Sequence, residues 1–138
     1  MTKAQELGRL AEDIAAEYVL SLGWQVLARN VKNQHGELDI IAADPTAGGH
    51  VLISKPQELV IIEVRCRTIG KIQSPFDSIG PKKLNSLVKS SREFIDKIEW
   101  KNFWRIDIIG IIMKDKENKN DWELEHIRDI TAGMNILS

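Results

Sequence analysis

The chain has 138 residues, of which 43% are hydrophobic and 28% charged, the composition of an ordinary globular protein. A chain of this length can bury a hydrophobic core large enough to fold without disulfides or structural metals. Residues 1–138 are therefore predicted to form a single domain. The net charge of −1 argues neither for nor against a nucleic-acid partner.

The cysteine and apolar content restrict the class of protein further. The single cysteine, Cys66, excludes an internal disulfide and a cysteine-based zinc site, and it fits a reducing compartment. The N-terminal residues lack the apolar core of a signal peptide. The apolar run at residues 108–113 is far too short to span a membrane. We therefore expect a cytoplasmic protein with no membrane partner.

Hydrophobic periodicity predicts a helix, three strands, a second helix and two further strands. The first helix, at residues 3–22, has an apolar stripe at helical spacing and is stopped by Gly23. The second helix begins at Pro81, which suits a first helical turn. The strands are predicted at residues 24–29, 38–43, 59–66, 104–113 and 122–127. This order is typical of an α/β sandwich with a mixed central β-sheet flanked by helices.

Two connections and one helix face complete this prediction. Residues 44–58 form a connection that is long for a hairpin, within which residues 50–53 extend a strand in one interpretation. Residues 69–80 are predicted to be a loop. The buried stripe of the second helix is predicted to contain Leu84, Leu87, Val88, Ser91, Phe94, Ile95 and Ile98.

Two of the predicted strands each carry a carboxylate among β-branched residues. Asp39 lies in the second strand and Glu63 in the third. Apolar strands usually exclude carboxylates, because burying an unpaired charge is costly. A hairpin that aligns Asp39 with Glu63 makes a small, oxygen-rich site, which is the environment that Mg²⁺ or Mn²⁺ prefers. Strand alternation places Arg65 beside Glu63 on the same face.

These residues fit the requirements of phosphodiester hydrolysis. The reaction needs a metal that neutralises phosphate charge, a positioned water and a stabilised leaving oxygen. Asp39 and Glu63 suit the metal, and a cation such as Arg65 suits water orientation or charge stabilisation. Glu12, at the edge of the first helix's apolar stripe, is placed to reach the same site as a third acid. In the alternative interpretation, Glu63 and Arg65 form an ion pair that needs no metal.

A basic stretch follows the third strand. Seven basic residues and one acid occur between residues 65 and 92. A locally basic face on a neutral protein binds phosphates, and Arg67, Lys71, Lys82 and Lys83 are the candidates for contacting nucleic acid. The alternative interpretation is a solvated helix face. The three histidines are scattered without ligand spacing, and Asp107 is predicted to be structural.

Several short motifs occur together across nearly the whole chain. They are Gly8…Glu12…Ala15, Gly23-Trp24…Val26-Leu27…Arg29-Asn30, Gly36-Glu37-Leu38-Asp39-Ile40-Ile41 and Ile62-Glu63-Val64-Arg65-Cys66-Arg67, followed by Arg105-Ile106-Asp107-Ile108-Ile109 and Glu125-His126-Ile127. In this combination the chain resembles the YraN-like family of the PD-(D/E)xK nuclease superfamily. The resemblance implies a restriction endonuclease-like sandwich, related in fold to archaeal Holliday junction resolvases, and Mg²⁺- or Mn²⁺-dependent cleavage of DNA.

The resemblance also implies roles for individual residues. Asp39 and Glu63 match the metal-binding acids, the Val64 carbonyl is a third metal ligand, and Glu12 matches the helix acid of the resolvase-like branch. The superfamily normally has lysine at the position of Arg65. Arginine keeps the positive charge, but it is a poor proton acceptor near neutral pH.

Three functions follow from these residues. The first is a metal-dependent endonuclease whose chemistry is attenuated or altered by Arg65. The alternative is a catalytically weak or inactive protein of nuclease fold that binds nucleic acid. A third is a protein-interaction domain that uses the edge strand at residues 122–127. The resemblance to resolvases adds a possible homodimer. The connection at residues 44–58 is a second departure, because the family usually joins these strands with a shorter turn.

Overall fold

The computed structural model describes residues 1–45, 57–69, 78–115 and 117–131. The elements are α1 (Lys3–Ser21), β1 (Gln25–Asn33), β2 (Gly36–Asp44), β3 (Glu58–Thr68), α2 (Pro81–Lys97), β4 (Trp104–Met113) and β5 (Trp122–Ile127). The predicted order of helices and strands is therefore confirmed. The predicted strand extension at residues 50–53 and most of the predicted loop at residues 69–80 lie outside the described residues.

The five strands form one mixed sheet in the order β1-β2-β3-β4-β5. The pairs β1–β2, β2–β3 and β4–β5 are antiparallel, whereas β3 and β4 are parallel. Parallel neighbours need a crossover connection, and α2 lies between these two strands in the chain. The mixed sheet predicted from the sequence is thus confirmed.

The two helices cover opposite faces of the sheet. Alternation along β3 directs Ile62 into the core under α1 and Ile61 into the core under α2. From the helices, Val19 packs into the first core and Leu87 into the second. This two-sided burial makes the central strands almost continuously apolar. The result is an α/β sandwich compatible with a restriction endonuclease-like fold.

Helix α1 has conventional signals at both ends. Thr2 is its N-cap, and the Thr2 hydroxyl and the Gln5 side chain form a reciprocal capping box. Gly23 follows the helix with a φ of 84°, a conformation that glycine adopts without strain. The predicted stop at Gly23 is therefore confirmed. Among the described residues, no helix is long and apolar enough to cross a membrane.

The prediction was wrong at the end of the first strand and at the end of the buried stripe of the second helix. The first strand does not end near Asn30 but continues to Asn33, because Asn30 is accommodated within the strand with a φ of 53°. Asparagine tolerates this left-handed conformation better than most residues. In α2, Leu87, Ser91 and Ile95 are buried as predicted. Ile98 is not buried: it caps the helix and is 44% exposed, since the helix ends one residue earlier.

The β1–β2 hairpin is fixed to α2 at its tip. Gly36 has a φ of 149°, and a Cβ atom there would lie 3.1 Å from the Ser90 hydroxyl oxygen. The Asn33 side chain donates to the Ser90 carbonyl over 3.0 Å. Only glycine satisfies both the backbone conformation and the close approach at position 36. The hairpin that carries Asp39 is thereby positioned against the second helix.

Candidate active site

The structure brings Asp39 and Glu63 together. Strands β2 and β3 are antiparallel, and Ile40 pairs with Ile62, so the same register sets Asp39 opposite Glu63. The Val64 N–H donates to Asp39 Oδ2 over 2.9 Å. Burial first, and then the neighbouring Asp39 side chain, raises the pKa of Glu63. The two strand acids thus have the arrangement expected from the sequence.

Glu63 is a buried acid with an incomplete set of partners. Only 5% of its side chain is exposed. The Lys83 Nζ atom lies 3.4 Å from Glu63 Oε2, yet this oxygen has no hydrogen bond, because the contact has the distance of an ion pair without the required angles. Burial and then the neighbouring Asp39 raise the pKa of Glu63 to about 8, and the weaker effects of Lys83 and Arg65 oppose this shift.

Glu12 belongs to the same electrostatic group. It is half-buried on α1. Burial and then the charge of Asp39 raise its pKa to about 7, and Arg29 opposes this rise. A carboxyl group whose pKa is near neutrality is suited to proton transfer. Asp39 thus raises the pKa of both the helix acid and the other strand acid, although the three come from three elements.

The Asn30 side chain joins two acids beside this group. With its amide nitrogen directed at the acids, it donates to Glu12 Oε1 over 2.9 Å and to Glu37 Oε1 over 3.2 Å. This orientation is assigned from the partners, because the opposite one would turn the amide oxygen toward carboxylate oxygens. The left-handed backbone of Asn30 directs the side chain. Sequence reasoning assigned no function to Asn30 or Glu37, although asparagine at the end of a predicted strand is a signal for unusual backbone geometry.

An open cleft gives access to the acids. Its volume is about 790 Å³, and its walls are formed by Met1, Gln5, Gly8, Arg9, Glu12, Asn30, Lys32, Glu37, Asp39 and Val64. Two basic residues, Arg9 and Lys32, therefore share the cleft with three acids. Glu63 is not among these lining residues, but it lies opposite Asp39 on the neighbouring strand and next to Val64, and both of these line the cleft. The cleft is of the size that small-molecule and cofactor sites usually have.

Arg65 is hydrogen-bonded to Ser78. Its Nε atom donates to the Ser78 hydroxyl over 3.0 Å, and its Nη2 atom donates to the Ser78 carbonyl over 3.2 Å. Among the ion pairs of the described residues, the partner of Glu63 is Lys83, not Arg65. The simple Glu63–Arg65 ion pair considered from the sequence is therefore wrong.

The predicted nucleic-acid contacts have different environments. Arg67 is half-buried, and Lys82 is exposed near the start of α2. Lys83 is in the acidic group rather than on a purely solvated face. Lys71 lies outside the described residues.

The donor set fits a hard divalent cation. Within residues 1–45, 57–69, 78–115 and 117–131, no three His, Cys, Asp or Glu side chains converge closely enough to enclose a metal. Mg²⁺ does not need such a cage, because it is usually held by one or two carboxylates together with water and substrate phosphate. Asp39 and Glu63 provide two carboxyl groups at facing positions of neighbouring strands, and Glu63 Oε2 is a buried oxygen without a hydrogen bond from the described part of the chain.

A second group of buried charges involves Asp107, which is fully buried. Arg105 Nε donates to its Oδ1 over 2.9 Å, and His126 Nε2 lies 2.8 Å from its Oδ2. The Asp129 N–H also donates to Oδ1 over 2.9 Å. Burial opposes ionisation here, but the hydrogen bonds from His126 and Arg105 outweigh it and lower the pKa of Asp107.

This buried network also joins strands to α1. Arg105 forms ion pairs with Glu58 at 3.2 Å and Asp44 at 3.4 Å. The second ring nitrogen of His126 lies 2.9 Å from the Tyr18 hydroxyl. The network therefore ties the ends of several strands and the first helix together. The structural role expected of Asp107 agrees with this arrangement.

Comparison with known proteins places the chain in a family. The model of the uncharacterised protein family UPF0102 matches residues 11–111, a range that contains Glu12, Asp39 and Glu63. A UPF0102 protein from Christiangramia forsetii is 31% identical over 129 residues, covering 94% of this chain and 96% of the relative. One from Flavobacterium johnsoniae is 32% identical over 134 residues, with coverage of 94% and 96%. One from Marinobacter nauticus is 34% identical over 109 residues, with coverage of 78% and 80%. The chain therefore belongs to the UPF0102 family.

Proposed function

We propose that this protein is a metal-dependent nuclease that hydrolyses phosphodiester bonds in DNA. The observation that carries the proposal is the cross-strand placement of Asp39, which lines an open cleft, opposite the buried Glu63. Two neighbouring acids repel one another when both are ionised, and a divalent cation removes that repulsion. The resemblance to PD-(D/E)xK nucleases gives the same pair the role of holding Mg²⁺ or Mn²⁺.

The side chains around the pair suit this chemistry. Asp39 and Glu63, with the carbonyl of Val64, would hold the ion. When bound, the metal would neutralise phosphate charge and activate a water molecule. The Val64 N–H fixes one Asp39 oxygen and so restricts the orientation of that carboxylate. Glu12 has a pKa near 7 and is suited to accept a proton from the attacking water.

A cleavage assay tests the proposal. Wild-type protein is incubated with linear, nicked and four-way-junction DNA in the presence of Mg²⁺, Mn²⁺ or EDTA. We expect metal-dependent cleavage of at least one substrate and a loss of at least about 100-fold in Asp39→Asn. Asp13→Asn is the matched control, because Asp13 is an exposed α1 residue that pairs with Arg29. An uncut panel, or equal activity of the two variants, would show the proposal to be wrong.

A second function is favoured by the position of Arg65. Since its guanidinium donates to the Ser78 hydroxyl and carbonyl, this residue is poorly placed to orient a water beside Glu63. A protein of this fold that binds DNA without cutting it would still show affinity that falls steeply with salt, because phosphate contacts release counterions. Arg65→Lys separates the two functions. A gain in cleavage would show attenuated chemistry, whereas salt-dependent binding without cleavage in both proteins would favour the binding function.

A further inference from the structure

The acids of the candidate site have a cationic neighbour, Lys83, that is not part of their strand motifs. Lys83 comes from the first turn of α2, yet its Nζ atom lies 3.4 Å from Glu63 Oε2 on β3. The Lys83 side chain is 44% exposed, whereas that of Glu63 is 5% exposed. The ammonium group therefore contacts the buried acid and remains open to a ligand that arrives from solvent.

We propose that Lys83, and not Arg65, is the cationic catalytic residue of this site, contacting the phosphate of a DNA substrate held at Asp39 and Glu63. This inference rests on the proposed nuclease function for the identity of the substrate. In the superfamily pattern the cation lies two positions after the strand glutamate. Here we assign that role to a residue of the second helix. An ammonium group suits the role, because it is a compact charge with three rotatable donors.

The geometry of the two cations separates them. The guanidinium of Arg65 is held by the Ser78 hydroxyl and carbonyl, so moving it toward Glu63 would break two hydrogen bonds. Lys83, by contrast, contacts Glu63 directly. Preorganised charge aimed at the reacting group is the arrangement that stabilises developing negative charge.

The position of Lys83 in its helix supports a functional role. Cations are disfavoured at a helix N-terminus, because the helix dipole places partial positive charge there. The first turn of α2 nevertheless contains Lys82 and Lys83 and no acid. Pro81 begins the helix and fixes its start, so the direction in which Lys83 leaves the backbone is set. A residue that opposes local stability but reaches a buried acid is typical of a functional site.

Steady-state cleavage kinetics form the first arm of the test. We compare wild type with Lys83→Gln, Lys83→Arg and the control Lys97→Gln, which makes the same charge change at the exposed other end of α2. We expect kcat to fall by about 100-fold in Lys83→Gln while KM changes by less than about threefold. Lys83→Arg, which keeps the charge, should recover at least about tenfold of that loss, and Lys97→Gln should match wild type.

Calorimetric binding of Mn²⁺ without DNA forms the second arm. Removing a positive charge 3.4 Å from a metal-binding oxygen should tighten Mn²⁺ binding by about threefold to fivefold in Lys83→Gln. Lys97→Gln should leave this affinity unchanged. The direction is the same whether Glu63 begins protonated or ionised, because a doubly charged ion is repelled more strongly than a proton.

The two arms distinguish failure of the inference from failure of the proposed function. If wild type cuts DNA but the kcat of Lys83→Gln equals that of Lys97→Gln, the inference is wrong whatever the Mn²⁺ affinities, while the proposed function stands. If wild type binds Mn²⁺ but cuts nothing, the proposed function fails and the catalytic role of Lys83 fails with it; tighter Mn²⁺ binding in Lys83→Gln would then show only that Lys83 lies beside the ion. If wild type neither binds Mn²⁺ nor cuts DNA, both are overturned.

Discussion

The protein treats two groups of buried carboxylates in opposite ways. Around Asp107, cationic and N–H donors from β4, β5 and the following residues compensate the charge, and the pKa of this acid is lowered. Around Glu63, burial and Asp39 dominate over Lys83 and Arg65, and the pKa is raised to about 8. The first arrangement favours an ionised acid in the folded protein without any added cation. The second favours an acid that binds a proton or another cation, which is a property of functional sites.

The difference is visible in the hydrogen bonds. Both oxygens of Asp107 accept from fixed donors, with distances of 2.8–2.9 Å for the closest contacts. Glu63 Oε2 accepts none, although Lys83 lies 3.4 Å away. The rest of the fold is stable enough to tolerate one buried acid whose hydrogen bonds are incomplete. The comparison therefore predicts that replacing Asp107 weakens folding whereas neutralising Glu63 does not.

Neutralising Asp107 gives the largest expected change in stability. Asp107→Asn keeps the side-chain shape but removes the buried charge that accepts hydrogen bonds from Arg105 and His126, so we expect a loss of about 3–5 kcal/mol in the free energy of unfolding. Denaturant titration measures this loss. Asp13→Asn is the control, because the Asp13–Arg29 pair is largely exposed and should contribute less than about 1 kcal/mol. Equal losses in the two variants would remove the distinction between the network and an ordinary surface pair.

The pH dependence of stability gives the next largest effect. The ordinary pKa of glutamate, 4.5, is raised to about 8 at Glu63 in the folded protein, so the folded state binds the proton more tightly than the unfolded state. The stabilisation is complete below pH 4.5 and is lost as pH rises to about 8. Without metal, we expect the Glu63 contribution to fall by about 2–4 kcal/mol across this interval. This is less than the full shift converts to, because the protein relaxes around an ionised carboxylate and water reaches it.

Glu63→Gln isolates that contribution from other titrating groups. At pH 5 the wild-type acid is protonated and resembles glutamine, so the two proteins should have nearly equal free energies of unfolding. At pH 9 the variant should be the more stable, because it buries no ionised carboxylate and has no repulsion with Asp39. Denaturant titrations in EDTA at several pH values measure the difference. Parallel curves for the two proteins would contradict the raised pKa.

Much of the fold follows from the sequence because its signals are local. Strands β4 and β5 have the predicted bounds, since each is a clear apolar or alternating run. The position of Asn30 inside β1 was missed, because a left-handed residue normally marks the end of a strand. Ile98 was placed in the core by helical spacing, but spacing alone does not show where the helix ends. Local patterns thus predicted elements better than their boundaries.

The candidate site was predicted only as far as its strand motifs extend. The register of Asp39 with Glu63 follows from two motifs on neighbouring antiparallel strands. The contact between Lys83 and Glu63 depends on how the first turn of α2 lies against β3, and no sequence spacing encodes that placement. The partnership of Asp107 with His126 likewise depends on the β4–β5 register. Long-range packing therefore decided which charges are compensated and which are not.

Replacing Glu12 is expected to give the smallest change in the free energy of unfolding, and it tests most specifically whether the helix acid belongs to the site. Its pKa is raised from 4.5 to about 7, so its contribution to folding is complete below pH 4.5 and is lost as pH rises to about 7. Because Glu12 is half-exposed, solvent weakens the effect, and Glu12→Gln should exceed wild type by less than about 1 kcal/mol at pH 9 and match it at pH 5. The double variant Glu12→Gln/Glu63→Gln tests whether the helix acid and strand acid are coupled. A gain at pH 9 smaller than the sum of the single gains would place both in one electrostatic group, and strict additivity would separate Glu12 from the site.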